Sequence, residues 1–253
     1  MSREWPAATG TATGNAVALI APPRGRLIVA SNRTATPGAP RAGGLAVALW
    51  DALVERGGVW FGWSGEVLDR ETRGVRLFAE GDVDFALADL TTAEYEGYYL
   101  NYANRALWPV FHTRVDLARF DDAAFDAYEA VNRRFGRQLF QLLRRRDHVW
   151  VHDYHFLLLG RELRDNGWHG PCGFFLHIPF PPPEIFAALP QHARLARGLA
   201  AFDVIGFQTT RDMDNFRRYL VEQHGAEVDD TGEHLRVFDR RLRIGAFPIG
   251  IDP

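Results

Sequence analysis

From residue 26 onward the chain alternates short apolar segments with longer segments of helical period. The short segments are typical of buried strands, and the longer ones repeat apolar residues at the spacings of a helix that packs on a core. Such alternation favours an α/β fold with a Rossmann-like parallel sheet flanked by helices. We predict strands at 26–31, 59–63, 75–79, 83–87, 148–152, 173–177, 204–207 and 235–238, and helices at 44–56, 92–105, 123–143, 156–166, 191–200 and 211–223.

The composition limits the classes of partner. The 253 residues include 29 basic and 32 acidic side chains, a formal net charge of −3. The chain therefore lacks the sustained basic field that attracts nucleic acid or a membrane surface, and we expect small molecules as partners. All the basic residues are arginine, which excludes Schiff-base chemistry and the lysine of a P-loop.

Two further features bear on location and domain organisation. Cys172 is the single cysteine, so neither an intrachain disulfide nor a cysteine-rich metal site can form, and we expect a cytoplasmic protein. Residues 1–25 are rich in Gly, Ala, Thr and Pro, and their apolar patch at 17–21 is too short for a membrane span or a secretory signal. We expect a flexible arm over 1–25 and a folded domain over 26–253.

The residues that follow the predicted strands are the first candidates for a site. In open α/β sheets, ligands bind outside the carboxyl ends of the strands. Arg33 follows the first strand, and Gly43 and Gly44 open the next helix, where free N–H groups and the helix dipole can face an anion. The same glycine pair can also serve only to turn the chain.

Histidines and an aspartate follow two further strands. His152, Asp153 and His155 follow one of them, and His177 follows the next. Catalytic zinc needs protein ligands in a fixed geometry, whereas His152 would point into the sheet and Asp153 would begin the loop, so we expect no metal. Histidines at strand ends also bind sugar hydroxyls or pack in the core, and both alternatives stay open.

Aromatic residues form a second group of candidates. Most such residues pack in cores, but Trp and Tyr also offer a flat apolar face and a hydrogen-bond donor, which suit the CH face and hydroxyl rim of a sugar. A pocket of Arg33, Asp153, Tyr99 and Trp108 would hold partners for phosphate and hydroxyl groups. The aromatic group comprises Trp60, Trp63, Tyr98, Tyr99 and Trp108.

Separated motifs occur in a fixed order along the chain: Ser31-Asn32-Arg33, Gly43-Gly44-Leu45, Trp60-Phe61-Gly62-Trp63-Ser64-Gly65, His152-Asp153-Tyr154-His155, Phe174-Phe175-Leu176-His177-Ile178-Pro179-Phe180-Pro181 and Phe247-Pro248-Ile249-Gly250-Ile251-Asp252-Pro253. Together they resemble the trehalose-6-phosphate synthases, retaining glycosyltransferases with the two-domain GT-B fold. The resemblance covers residues 26–253. It implies transfer of glucose from UDP-glucose to glucose 6-phosphate, without a metal, a cofactor or a covalent protein nucleophile.

The same resemblance implies roles for individual residues. Arg33 would bind the phosphate of glucose 6-phosphate, and Tyr99 and Trp108 would form the rim of that site. Asp153 would bind acceptor hydroxyls near the reacting centre, and His177 would contact the transferred glucose. Gly43 and Gly44 would lie beside the UDP pyrophosphate, and Trp63 would lie next to the acceptor pocket.

The resemblance further implies that residues 26–253 form the N-terminal, acceptor-side domain and that the nucleotide-sugar domain lies beyond Pro253. We therefore expect the chain alone to be weakly active or inactive. A glucosylglycerol-phosphate synthase or a pseudo-glycosyltransferase of the same fold stays open as an alternative, as does a noncatalytic regulatory subunit. Association into a homo-oligomer or with a full-length relative also stays open.

Overall fold

The computed structural model describes residues 25–35, 44–70 and 74–248. In these residues a single mixed sheet carries helices on its faces. The strands are β1 (Leu27–Arg33), β2 (Gly58–Leu68), β3 (Arg76–Glu80), β4 (Val83–Thr91), β5 (His148–His152), β6 (Cys172–Leu176), β7 (Val204–Phe207), β8 (Glu227–Val228), β9 (His234–Val237) and β10 (Arg240–Ala246). The α-helices are α1 (Gly44–Arg56), α2 (Thr92–Glu94), α3 (Trp108–Phe111), α4 (Asp122–Phe140), α5 (Leu159–Asp165), α6 (Pro183–Phe186), α7 (His192–Leu199) and α8 (Thr210–His224).

The described strands form a 10-stranded sheet in the order β3-β4-β2-β1-β5-β6-β7-β10-β9-β8. The strands from β4 through β10 in that order pair in parallel, whereas β3, β9 and β8 add antiparallel partners at the two edges. The predicted α/β class with helices around a mainly parallel sheet is therefore confirmed. Antiparallel edges are common on such sheets, because a hairpin can extend an edge without a crossover helix.

The core lies on both faces of the sheet, and β1 contributes to each. Ile28 and Ala30 point into the larger cluster, which includes buried side chains of α4, α5, α7 and α8. Leu27 and Val29 point into the smaller cluster, which α1 covers through Leu49 and Leu53. Alternate residues of a strand point to opposite faces, so a central strand that is apolar at every position is buried on both sides.

The predicted helix over 92–105 has a different geometry. A π-helical segment, Tyr95–Leu107, runs between α2 and α3, and the main-chain N–H of Trp108 donates to the carbonyl of Ala103 across its wider turn. Apolar spacings of three and four fit either geometry, so the sequence pattern could not distinguish them. The segment buries Tyr98 and Tyr102 in the larger cluster.

Other differences concern boundaries and strands β8 and β10, neither of which was predicted. The predicted helix over 123–143 ends at Phe140, and that over 156–166 begins at Leu159, after a 3₁₀ turn at Tyr154–Phe156. Strand β10 was not predicted, because exposed arginines alternate with its buried residues and interrupt the apolar run. The predicted arm over 1–25 lies outside the described residues, apart from Gly25. None of the described helices is long and apolar enough to cross a membrane.

The packing of α1 gives a prediction about stability. Leu53 is fully buried in the smaller cluster, whereas its neighbour Val54 is 52% exposed. Leu53→Ala removes buried methyl groups and leaves a cavity, so we expect the free energy of unfolding to fall by about 2–5 kcal/mol. Val54→Ala is the matched control and should change it by less than about 0.5 kcal/mol. Urea denaturation measures both, and equal effects of the two substitutions would contradict this packing.

Candidate functional site

The topology brings three of the predicted site residues to one edge of the sheet. Arg33 ends β1, Asp153 follows β5, and His177 follows β6. β1, β5 and β6 are consecutive neighbours that pair in parallel, so their carboxyl ends meet at the same edge. Crevices at this edge are where open α/β sheets bind ligands.

Hydrogen bonds from neighbouring side chains fix the main chain around Arg33. The hydroxyl of Ser31 donates to the carbonyl oxygen of Arg33 at 3.0 Å and accepts from the indole N–H of Trp60 at 2.8 Å. The hydroxyl of Tyr98, in the π-helical segment, donates to Oδ1 of Asn32 at 2.7 Å. Every residue of the Ser-Asn-Arg motif therefore takes part in a hydrogen bond that holds this end of β1, and only Arg33 is exposed.

A glycine makes room for the guanidinium of Arg33. The guanidinium carbon lies 5.7 Å from the ring centroid of Trp63, a cation–π contact. Gly65 has a φ of +97°, and a Cβ atom at this position would lie 2.6 Å from Nη2 of Arg33. Gly65 was not among the residues predicted for the site, although it ends the Trp-Phe-Gly-Trp-Ser-Gly motif.

Aromatic rings extend from Arg33 towards the loop after β5. The ring of Trp63 lies 5.5 Å from that of Tyr99, and Tyr99 stacks on His155 at 5.7 Å with an interplanar angle of 15°. His155 in turn lies 4.0 Å from the ring of Tyr154. Trp63 itself is only 4% exposed, so it supports Arg33 and Tyr99 from beneath.

Trp108 lies apart from this row of rings. It begins α3, is 42% exposed, and stacks on His112 at 4.0 Å. One helical turn earlier, Oδ1 of Asn104 accepts a hydrogen bond of 2.9 Å from the hydroxyl of Tyr154. The helical segment that carries Trp108 is therefore tied to the loop after β5, and the indole keeps an open face for a ligand.

Asp153 occupies a strained position. Its φ of +74° combines with a ψ of 168°, a region of backbone space that is adopted almost only by glycine. Its Oδ1 accepts a hydrogen bond of 3.3 Å from the main-chain N–H of His177. Burial raises the pKa of Asp153 to about 6, against the lowering effect of main-chain N–H groups of Tyr154 and His177. Near neutral pH the carboxylate is ionised and ready to accept hydrogen bonds from hydroxyl groups.

The histidines of the site are neutral. Nδ1 of His152 lies 2.9 Å from Nε2 of His177. Burial lowers the pKa of His177 to about 4 and that of His155 to about 3, and it also lowers the pKa of His152 well below its usual value. These imidazoles can therefore donate or accept hydrogen bonds without adding charge.

Two side chains of α8 hold the loop after β6. Oδ1 of Asp212 accepts from the main-chain N–H of Phe180 at 2.9 Å, and Nδ2 of Asn215 donates to its carbonyl oxygen at 2.9 Å. Thr209 caps α8 and donates to the other oxygen of Asp212 at 2.6 Å. Asp212 and Asn215 were not among the residues predicted for the site, although the spacing Thr-x-x-Asp indicates a helix start.

The site residues line two cavities rather than one. Arg33 lies in a cavity of about 660 Å³ with Ser64, Arg76 and Asp89. His152 and His177 line a second, largely apolar cavity of about 390 Å³, together with Trp150, Phe175 and Phe247. α1 begins at Gly44, as predicted, whereas Gly43 lies outside the described residues.

Comparison with known proteins places the chain in a family. The sequence profile of glycosyltransferase family 20 matches residues 22–253. The chain belongs to that family. The trehalose-6-phosphate synthase of Citrobacter koseri is 43% identical over 230 residues, which cover 90% of this chain and 48% of that protein. The chain therefore spans about half the length of the curated relatives that it matches.

Solved structures of similar proteins share this fold. The α,α-trehalose-phosphate synthase (UDP-forming) of Burkholderia vietnamiensis superposes with a TM-score of 0.88 at 43% identity, over 90% of this chain and 49% of that one. The corresponding protein of Burkholderia xenovorans, solved in complex with glucose-6-phosphate, gives a TM-score of 0.84 at 44% identity, over 90% of this chain and 50% of that one. The expected similarity to GT-B glycosyltransferases is confirmed.

The contact between Gly65 and Arg33 can be tested by substitution. Gly65→Ala places a methyl group where the guanidinium lies and strains a positive φ, so we expect Arg33 to move and the free energy of unfolding to fall by about 1–3 kcal/mol. Gly74→Ala is the matched control, since a Cβ there would contact nothing within 4 Å. The side-chain Nε resonance of Arg33 reports the movement, and an unchanged resonance in Gly65→Ala would refute the contact.

The burial of Asp153 gives a prediction about pH. Its pKa of about 6 in the folded chain lies above that of an unfolded aspartate, so ionisation favours unfolding as pH rises from about 4 through 6. Asp153→Asn removes this effect. We expect it to raise the free energy of unfolding by roughly 2 kcal/mol at pH 8 and to leave it unchanged at pH 4.

Urea denaturation at the two pH values measures this difference. Asp84→Asn, at an exposed position of β4, is the control and should have the same small effect at both pH values. An Asp153→Asn protein that gains no stability at pH 8 relative to pH 4 would show that the carboxylate is not desolvated.

Proposed function

We propose that this chain is the acceptor-side, N-terminal domain of an α,α-trehalose-6-phosphate synthase, which transfers glucose from UDP-glucose to glucose 6-phosphate and releases UDP. The observation that carries the proposal is that Arg33, Asp153 and His177 lie at the carboxyl ends of three neighbouring parallel strands, in a chain of family 20. The three side chains provide a cation, a carboxylate and a neutral imidazole.

Arg33 would bind the phosphate of glucose 6-phosphate. Its guanidinium is exposed at the end of β1 and lies over Trp63, and a planar fork of donors suits a phosphate group. Tyr99 and Trp108 would form the rim, where their rings can pack on the apolar face of the sugar. The partly exposed Trp108 is the better placed of the two for contact with a ligand.

Asp153 would bind hydroxyl groups of the acceptor. Its ionised carboxylate keeps lone pairs beyond the hydrogen bond from His177, and burial strengthens each hydrogen bond that it accepts. A carboxylate in this position orients the attacking hydroxyl. In a retaining glycosidase, by contrast, a carboxylate attacks the sugar, and Asp153 does not have that role.

The donor side needs residues outside the described part of the chain. His177 would contact the transferred glucose, and Gly43 and Gly44 would lie beside the UDP pyrophosphate at the start of α1. A second domain would hold the nucleotide.

In the front-face displacement that this arrangement suits, the acceptor hydroxyl approaches on the side from which UDP departs and passes its proton to the departing phosphate. The protein contributes orientation and charge stabilisation.

The setting that fits this function is the cytoplasm. Cys172 is a free thiol buried in β6, as expected for a protein kept in reducing conditions. Phe247 is 46% exposed and lines the largely apolar cavity of His152 and His177. An apolar surface of this kind supports association with a second domain or a second copy of the chain.

The proposal predicts that glucose 6-phosphate binds to this chain through Arg33. Calorimetric titration of the chain should give saturable binding, and plain glucose should bind more weakly because it lacks the phosphate. Arg33→Ala should weaken binding of glucose 6-phosphate by about 10- to 150-fold, the usual loss when a charged hydrogen-bond partner is removed. Arg145→Ala, an exposed arginine near the amino end of β5, is the matched control and should bind as the unmodified chain does.

Two outcomes of the titration would contradict the proposal. Equal affinity of Arg33→Ala and the unmodified chain for glucose 6-phosphate would remove Arg33 from the site. Tighter binding of glycerol 3-phosphate than of glucose 6-phosphate would identify a different acceptor on the same fold.

A further inference from the structure

Two imidazoles at the ends of adjacent strands share a hydrogen bond. His152 is the last residue of β5 and is 1% exposed, and its Nδ1 lies 2.9 Å from Nε2 of His177, which follows β6. Burial favours the neutral form of both rings, so each carries a single ring proton. One of the two facing nitrogens must hold a proton and the other a lone pair.

This hydrogen bond allows two arrangements of the protons. In the first, His152 carries its proton on Nδ1 and donates it to His177, which then carries its own proton on Nδ1. In the second, His177 donates from Nε2, and His152 carries its proton on Nε2. The two differ at Nε2 of His152, which is buried and has no hydrogen-bond partner among the described residues.

We propose that His152 is a positioning residue that donates to Nε2 of His177 and thereby keeps the proton of His177 on Nδ1. The second arrangement would bury an N–H donor without an acceptor, and such orphaned donors are rarer in proteins than under-satisfied acceptors.

The hydrogen bond that His177 can make with a ligand then has a fixed direction. Since Nε2 is occupied by His152, Nδ1 is the ring atom left for binding, and it acts as a donor. With this donor and the carboxylate of Asp153, the site has one group that donates to a hydroxyl oxygen and one that accepts from a hydroxyl. The consequence for sugar binding rests on the proposed function, whereas the tautomer of His177 does not.

Long-range ¹H–¹⁵N NMR spectra of histidine-labelled protein test the tautomer without any substrate. For His152 and His177 at pH 7 we expect a pyrrole-type shift at Nδ1 and a pyridine-type shift at Nε2, the reverse of the pattern that free histidine favours. His152→Phe removes the donor, so the resonances of His177 should lose this pattern. His152→Asn keeps an N–H donor near the position of Nδ1 and should restore it.

His148→Phe and His148→Asn are the matched controls. His148 is exposed at the other end of the same strand and on the same side, so neither change should alter the resonances of His177. A pyridine-type Nδ1 of His177 in the unmodified chain would overturn the inference, as would an unchanged pattern in folded His152→Phe. If His152→Phe does not fold, the spectrum of the unmodified chain decides alone. Failure to bind glucose 6-phosphate would leave this result intact and would count only against the proposed function.

Discussion

The parallel pairing of β1 with β2 on one side and with β5 on the other is the constraint on which the site depends. It fixes the register Val29 to Trp150 and Val29 to Trp60, and β6 continues the same register from β5. Because all these strands end at one edge, residues far apart in the chain meet there without a long loop of their own. Strand β1 is buried on both faces, so a shift in its register would change the packing of its side chains in both core clusters at once.

This rigid edge carries a site whose ionisable groups are poorly solvated. The pKa of the Asp153 carboxyl is raised and the pKa values of the neighbouring imidazoles are lowered, and burial is the largest cause in each case. Such groups reduce the stability of the folded chain, and the backbone of Asp153 adds strain. The sheet and the clamp of Asp212 and Asn215 on Phe180 offset these costs by holding the loops in place. Groups that are oriented and desolvated in advance bind a polar ligand with less reorganisation.

The sequence was sufficient to predict the features that strand order determines. It did not predict the features that depend on local geometry. Apolar runs predicted the central strands, and the strand ends then placed Arg33, Asp153 and His177 at one edge of the sheet, where the structure has them. Periodicity could not identify the π-helical segment Tyr95–Leu107, because its apolar spacing also fits an α-helix. Nor could it show that Gly65 makes room for a side chain from another strand, since that contact depends on a φ angle and on a distance across the sheet.

The motif after β5 shows why such residues stand together in sequence. Each of its four members contacts a different group: His152 faces the ring of His177 after β6, Asp153 accepts the main-chain N–H of that residue, the hydroxyl of Tyr154 reaches Asn104, and His155 stacks on Tyr99. A turn at the end of a central strand points successive side chains in different directions, so a short segment can join several neighbours. The positive φ of Asp153 makes this turn. His152 contacts the ring of His177 and Asp153 contacts its main-chain N–H, so a substitution of His152 removes the ring contact and keeps the acceptor that Asp153 offers, which lets the roles of these two residues be separated.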